Sequence, residues 1–257
     1  MHWLNPRFIQ QCDSALLSHL DLPGWFDCCF HRIIHRMGKT EFAKQVDEIQ
    51  SQLVPFLKEN GFRKRGRTFN RTSADGLISV INFQMGAFDP PGTSAIPGLR
   101  KSLYGSFTIN LGIFVPEVYR YQSGSEARSF VQHDHCCIRA RLGSLGPERQ
   151  DIWWQAKISS KLVEELRNRL VSDALPFLKR FESREAIIRD WPDYYDEYQF
   201  GSSSSPNIVL AIILANQGRT EEARPFLEQQ IRQSQHESHK AYVRSLAIRL
   251  GLEPLGT

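Results

Sequence analysis

Alternation of apolar and polar residues is clearest at residues 107–114, FTINLGIF, where Phe107, Ile109, Leu111 and Ile113 share one face of a strand. Thr108, Asn110 and Gly112 fall on the opposite face. Two further alternating runs, residues 77–85 (LISVINFQM) and 136–142 (CCIRARL), read as its neighbours in a sheet. Residues 67–72 predict another strand, joined to 77–85 by the turn residues Ser73, Ala74, Asp75 and Gly76. Residues 151–154, DIWW, read as a short closing strand or a turn into helix.

Helical spacing takes over on either side. Phe42, Val46, Ile49, Leu53 and Phe56 or Leu57 predict a helix over residues 39–60, with Gly61 as a left-handed cap. Pro55 should kink that helix or shorten its last turn. Residues 158–181 form a long amphipathic pattern on Leu162, Leu166, Leu170, Leu175 and Leu178, with a kink expected at Pro176. Ser205 as N-cap and Pro206 at the first helical position open a helix–turn–helix–helix pattern over 206–250. Its stretch LANQGRTEEARPFLE resembles one tetratricopeptide unit, which alone cannot build a solenoid; an appendage or docking hairpin is expected.

The pattern therefore predicts an α+β protein: an antiparallel sheet of four to five strands packed against long helices, plus a C-terminal helical hairpin. Residues 37–183 read as the sheet domain, 184–205 as a linker and 206–257 as the appendage. Residues 1–36 read as an extension of two short helical patterns, and Met37 offers an alternative start that would remove it. Residues 86–100, rich in proline and glycine, read as a loop over the sheet edge.

Composition adds bounds. Hydrophobic residues make up 41% and charged residues 23% of the 257, as in a soluble globular protein. No apolar run approaches the ~20 residues of a membrane span, and the N-terminus lacks the pattern of a secretory signal. Cys12, Cys28, Cys29, Cys136 and Cys137 are odd in number and include two adjacent pairs, which fits a reduced cytoplasmic protein. The net charge of +4 resides in the middle of the chain, where residues 61–145 carry 11 basic and 5 acidic side chains. That favours an anionic partner for the sheet.

Candidate chemistry is sparse. Gly38-Lys39-Thr40 imitates the end of a phosphate-binding loop, but Ile33 stands where the first glycine belongs. Cys28, His31 and His35 share a helical face, and His133, His135 and Cys137 would share a strand face, yet neither set has a standard zinc spacing. No metal and no cofactor is expected. Arg63, Lys64, Arg65, Arg67 and Arg71, with Phe62 and Phe69 for stacking, offer a weak nucleic-acid reading; solvated charges around a turn are the favoured explanation, because the patch is short and the overall charge mild. The acidic-aromatic run 190–198, with Trp191, Tyr194 and Tyr195, is either a partner surface or packing between sheet and tail.

The most informative set is a polar row across the strands: Asn82, Gln84, Thr108, Asn110, Arg139 and Arg141. Amides and guanidinium groups on one face suit a carboxylate or phosphate, although a half-solvated sheet face has the same pattern. Serine-hydrolase, zinc-protease and dinucleotide-binding signatures are absent. Two function classes stay open: the preferred one is a non-catalytic binding or interaction module using the sheet face, and the alternative is an enzyme or nucleic-acid-processing protein acting on an anionic substrate at the row. Convergence of the row with a histidine or carboxylate in a concave pocket would favour the second.

In order along the chain, the residues FLKENGF (56–62), KRGRTF (64–69), VINFQ (80–84), FTINLG (107–112), IRARLG (138–143) and DIWW (151–154) resemble the domain of unknown function family numbered 4304. The resemblance runs over about residues 40–181 and leaves out both the first segment and the tail. It implies no activity and no catalytic residues. It groups the polar strand residues into one motif set.

Overall fold

The computed structural model describes residues 40–86, 102–126, 129–198, 205–253 and 255. The extension 1–36 with its Met37 boundary, the Cys28–His31–His35 set, most of the 86–100 loop and the serines 202–204 lie outside them. Within residues 41–257 the chain forms a single unit around one dominant core.

Helix α1 (Glu41–Glu59) buries Val46, Ile49, Leu53 and Leu57 and runs through Pro55 to its last turn. Gly61, at φ +81°, then reverses the chain, with the Phe62 amide donating to the Leu57 carbonyl at 3.0 Å. Strand β1 (Arg63–Arg65) turns at Gly66 into β2 (Thr68–Thr72), followed by β3 (Ile78–Met85) and β4 (Ser106–Phe114). After α2 (Pro116–Ser123) and a 3₁₀ turn (His133–His135) come β5 (Ile138–Arg141), the short α3 (Leu142–Leu145) and β6 (Trp154–Gln155). The sheet is antiparallel, ordered β1-β2-β3-β4-β5, with β6 pairing with the start of β4. It has six strands where the sequence predicts four or five; the difference is β1, three exposed basic residues with no apolar face to reveal them.

One face of the sheet, built from Phe69, Ile81, Phe83, Phe107, Ile109, Leu111 and Ile113, packs against the helices. α4 (Ser160–Arg169) starts on a Ser159 cap whose hydroxyl accepts from the Leu162 amide at 3.1 Å. It continues through a π-helical turn (Leu170–Ala174) into α5 (Leu175–Arg180). The kink expected at Pro176 is this wider turn: proline has no N–H for the residue-172 carbonyl, and the Leu175 amide instead reaches back to Leu170.

The segment read as a linker is mostly helix α6 (Arg184–Tyr198), and Ile187, Trp191 and Tyr194 are part of the dominant core. α7 (Pro206–Asn216) is apolar on every side and buried from Ile208 to Leu214. α8 (Thr220–Gln233) and α9 (Glu237–Leu250) cover it, and the three helices share the sheet's core. Among the described residues no helix is long and apolar enough to cross a membrane.

Candidate functional site

The opposite face of the sheet is built in rungs. Register places Thr68, Asn82, Asn110 and Arg141 in line across β2, β3, β4 and β5. The next rung holds Asn70, Val80, Gly112 and Arg139, and the rung on the other side pairs Gln84 with Thr108.

This face is not left open to solvent. Residues 131–136 cross it as a strap. Asn70 clamps the strap through both amide atoms, its Oδ1 accepting from the Val131 amide at 2.7 Å and its Nδ2 donating to the Val131 carbonyl at 3.0 Å. Thr68 donates to Gln132 Oε1 at 2.8 Å. Val131 and Cys136 then form a small second core with Val80 and Phe114. Gly112 lets the strap descend: a Cβ there would lie 2.6 Å from Cys136 Sγ and 3.5 Å from His133 Cδ2.

Beside the strap lies a cavity of about 370 Å³ lined by Gln84, Asn110, His133, Arg139, Arg141, Ser144 and Asp151, with Ala140. Asn110 is buried, donating to Gln84 Oε1 at 2.7 Å and more weakly to Asn82 Oδ1 at 3.4 Å. Arg141 pairs with Asp151 and lies over the Trp153 ring, whose Nε1 donates to the same carboxylate at 3.2 Å. Thr108 donates to the Ile152 carbonyl at 3.0 Å and so fixes the segment that presents Asp151.

Two atoms belonging to residues that line the cavity are unsatisfied. Arg139 Nε and His133 Nε2 are closed off from solvent and have no hydrogen-bond partner among the described residues. They are neighbours, since Arg139 stands opposite Gly112 and His133 packs above it. Burial, then the positive charge of Arg139, pushes the His133 pKa down to about 4, so its ring is neutral at pH 7.

The polar row therefore divides. Gln84, Asn110, Arg139 and Arg141 line the cavity, while Asn82 bonds Thr68 at 2.9 Å and Thr108 ties down a loop. The row alone did not show Ser144, Asp151 or His133 at this place. His133 entered the sequence reading as one of a zinc-capable trio, and that face is not formed: His133 and His135 lie in a 3₁₀ turn and Cys137 is turned into the core. Burial holds both Cys136 and Cys137 thiols protonated, with Cys137 pushed up to about 12. Among the described residues no group of three or more His, Cys, Asp or Glu is arranged to hold a metal.

The other candidates change character. Phe62 and Phe69 are buried and unable to stack on bases, and Arg67 is engaged by Asp47 at 2.8 Å. Trp191 and Tyr194 are buried, stacked on each other and edge-on to Phe181, with Tyr195 edge-on to Trp191. Helical periodicity turns Trp191 and Tyr194 inward, where they pack on Phe177 and Phe181 and are not surface rings.

Fold and site together define an α+β domain with a strapped polar sheet face and an arginine-lined cavity. Residues 53–92 and 97–180 match the model of the family described as a domain of unknown function (DUF4304), so the sheet-bearing part of this chain resembles that family. No curated protein and no solved structure matches the chain.

Proposed function

We propose that the sheet-bearing part of the chain is a binding module for a small anionic group, a carboxylate or phosphate, held in the cavity by Arg139 and Arg141. The observation that carries this is the buried, unpartnered Nε of Arg139, a residue that lines the cavity. Leaving such a donor unmet costs about 1–3 kcal/mol, more for a charged group, and an anionic acceptor recovers it. The excess positive charge of residues 61–145 supports the same reading. Gln84, whose Oε1 is held by Asn110, adds an amide donor for orientation, and the cavity volume is in the range of small-molecule sites.

Titration calorimetry with benzoate and with phenyl phosphate tests this. At least one should bind with Kd below about 1 mM, a binding free energy near −4 kcal/mol. Arg139→Met, which keeps the alkyl stem and removes the fork, should weaken binding at least tenfold. Binding of neither probe, or equal binding by Arg139→Met, would overturn the proposal. A second reading, favoured by the neutral His133 Nε2 in the same cavity, is acid–base catalysis on the bound anion. Release of inorganic phosphate from phenyl phosphate, lost in His133→Gln, would move the protein into that class.

A further inference from the structure

Charge balance in the cavity discriminates between anions. Arg139 and Arg141 bring two positive charges and Asp151 returns one negative charge, so the protein's side of the site carries a single net positive charge while His133 is neutral. A monocarboxylate cancels that charge. A dianion leaves one negative charge over in a partly closed site, where uncompensated charge is expensive.

The group beside it able to change charge is His133. Facing it from β5 are Arg139 and Arg141, and on its own turn Asp134. From β4 come the Leu111 backbone, which favours the charged ring, and the side-chain-free Gly112. Cys136, farther along the strap, is held as a neutral thiol, and Asp151 is the carboxylate in the cavity wall. Burial and Arg139 disfavour the imidazolium; a bound dianion reverses the sign of that local field.

Resting on the anion-site reading above, we infer that the cavity takes a dianionic phosphate monoester and that His133 gains one proton at Nε2 as it binds. The proton comes from solvent to the Nε2 lone pair, and no bond of the phosphate is made or broken. Three terminal oxygens give a phosphate one acceptor each for Arg139 Nε, Arg141 and the new Nε2–H, whereas a carboxylate has two oxygens. Both buried unpartnered atoms, Arg139 Nε and His133 Nε2, are satisfied at once. At about 370 Å³ the cavity also has room for the organic part of the ester.

The test is calorimetry of the full chain with phenyl phosphate and benzoate between pH 7 and 8, in buffers of different ionisation enthalpy. Phenyl phosphate, a dianion there because the second phosphate pKa is about 6, should bind with uptake of about one proton. Its Kd should then rise about tenfold across that pH unit. Benzoate should bind without proton uptake and with a flat profile. In His133→Gln, phenyl phosphate should lose its pH dependence. Imidazole NMR of the unmutated protein, with no demand on a variant's folding, should show a charged His133 ring only in the phenyl phosphate complex. Phenyl phosphate binding with a neutral ring and no proton uptake overturns this inference and leaves the anion site standing, as does equal proton uptake with benzoate. Binding of neither probe overturns the anion site itself.

Discussion

Gly112 lies directly beneath Cys136, where a Cβ would fall 2.6 Å from the sulfur. The neighbouring atoms are a buried thiol and its own Cβ, neither able to swing into solvent. Gly112→Ala should therefore lift the strap and cost about 1–3 kcal/mol, the usual range for overpacking. A lowered urea midpoint with an unchanged m-value checks this, and an unchanged midpoint would mean the strap moves freely.

Asn110 donates to Gln84 Oε1 and Asn82 Oδ1 from a buried position. Asn110→Asp replaces that donor with a carboxylate facing two acceptors, so the hydrogen bonds become repulsions. The loss should be at least the ~1–3 kcal/mol of a buried unsatisfied group, and larger than for Asn110→Ser. Thermal unfolding of the two variants side by side gives the order.

Arg184 grips both carboxylate oxygens of Glu117, at 2.6 and 2.8 Å, and also pairs with Asp75 at 3.3 Å. Glu117 is only 6% exposed and Arg184 21%. The pair joins the first turn of α2 to the first turn of α6 and to the β2–β3 turn. Arg184→Ala strands a buried carboxylate and should cost about 3 kcal/mol. Adding Glu117→Gln to it should restore part of that loss, a coupling that a double-mutant cycle in urea measures.

The depressed His133 pKa sets a pH dependence for the unliganded protein. The folded state holds the ring neutral down to about pH 4, while the unfolded chain takes a proton at the ordinary 6.5. The unfolded state binds more protons between those values, so stability falls as pH falls from 6.5. The loss from this group should approach about 3 kcal/mol below pH 4. In His133→Gln, the slope of unfolding free energy between pH 6.5 and 4 should be shallower than in the unmutated chain. Equal slopes would place the titrating group elsewhere.

Strands β2 to β5 and helices α1, α4 and α5 were legible because each has one apolar face on the main core, and such a face imposes period two or near 3.6 on the chain. The elements missed lacked such a period or masked it. β1 is three exposed basic residues, and α6 carries its tryptophan, proline and tyrosines among acids, which reads as a loop until the rings meet Phe177 and Phe181. The polar row was visible residue by residue. Its division into cavity wall and structural ties was not, because Asn82 and Asn110 have the same alternation and differ only in what faces them.

The sequence by itself determined which residues of each strand point away from the core, since alternation is a local consequence of backbone geometry. It also placed Gly112, which has no side chain, on the face opposite Phe107, Ile109, Leu111 and Ile113. Only the tertiary structure decided what that gap admits. The strap comes back from twenty or so residues downstream, is pinned by Asn70 and Thr68, and brings His133 beside Arg139. Contacts of that range depend on how separate segments pack, and no periodicity within one segment encodes them.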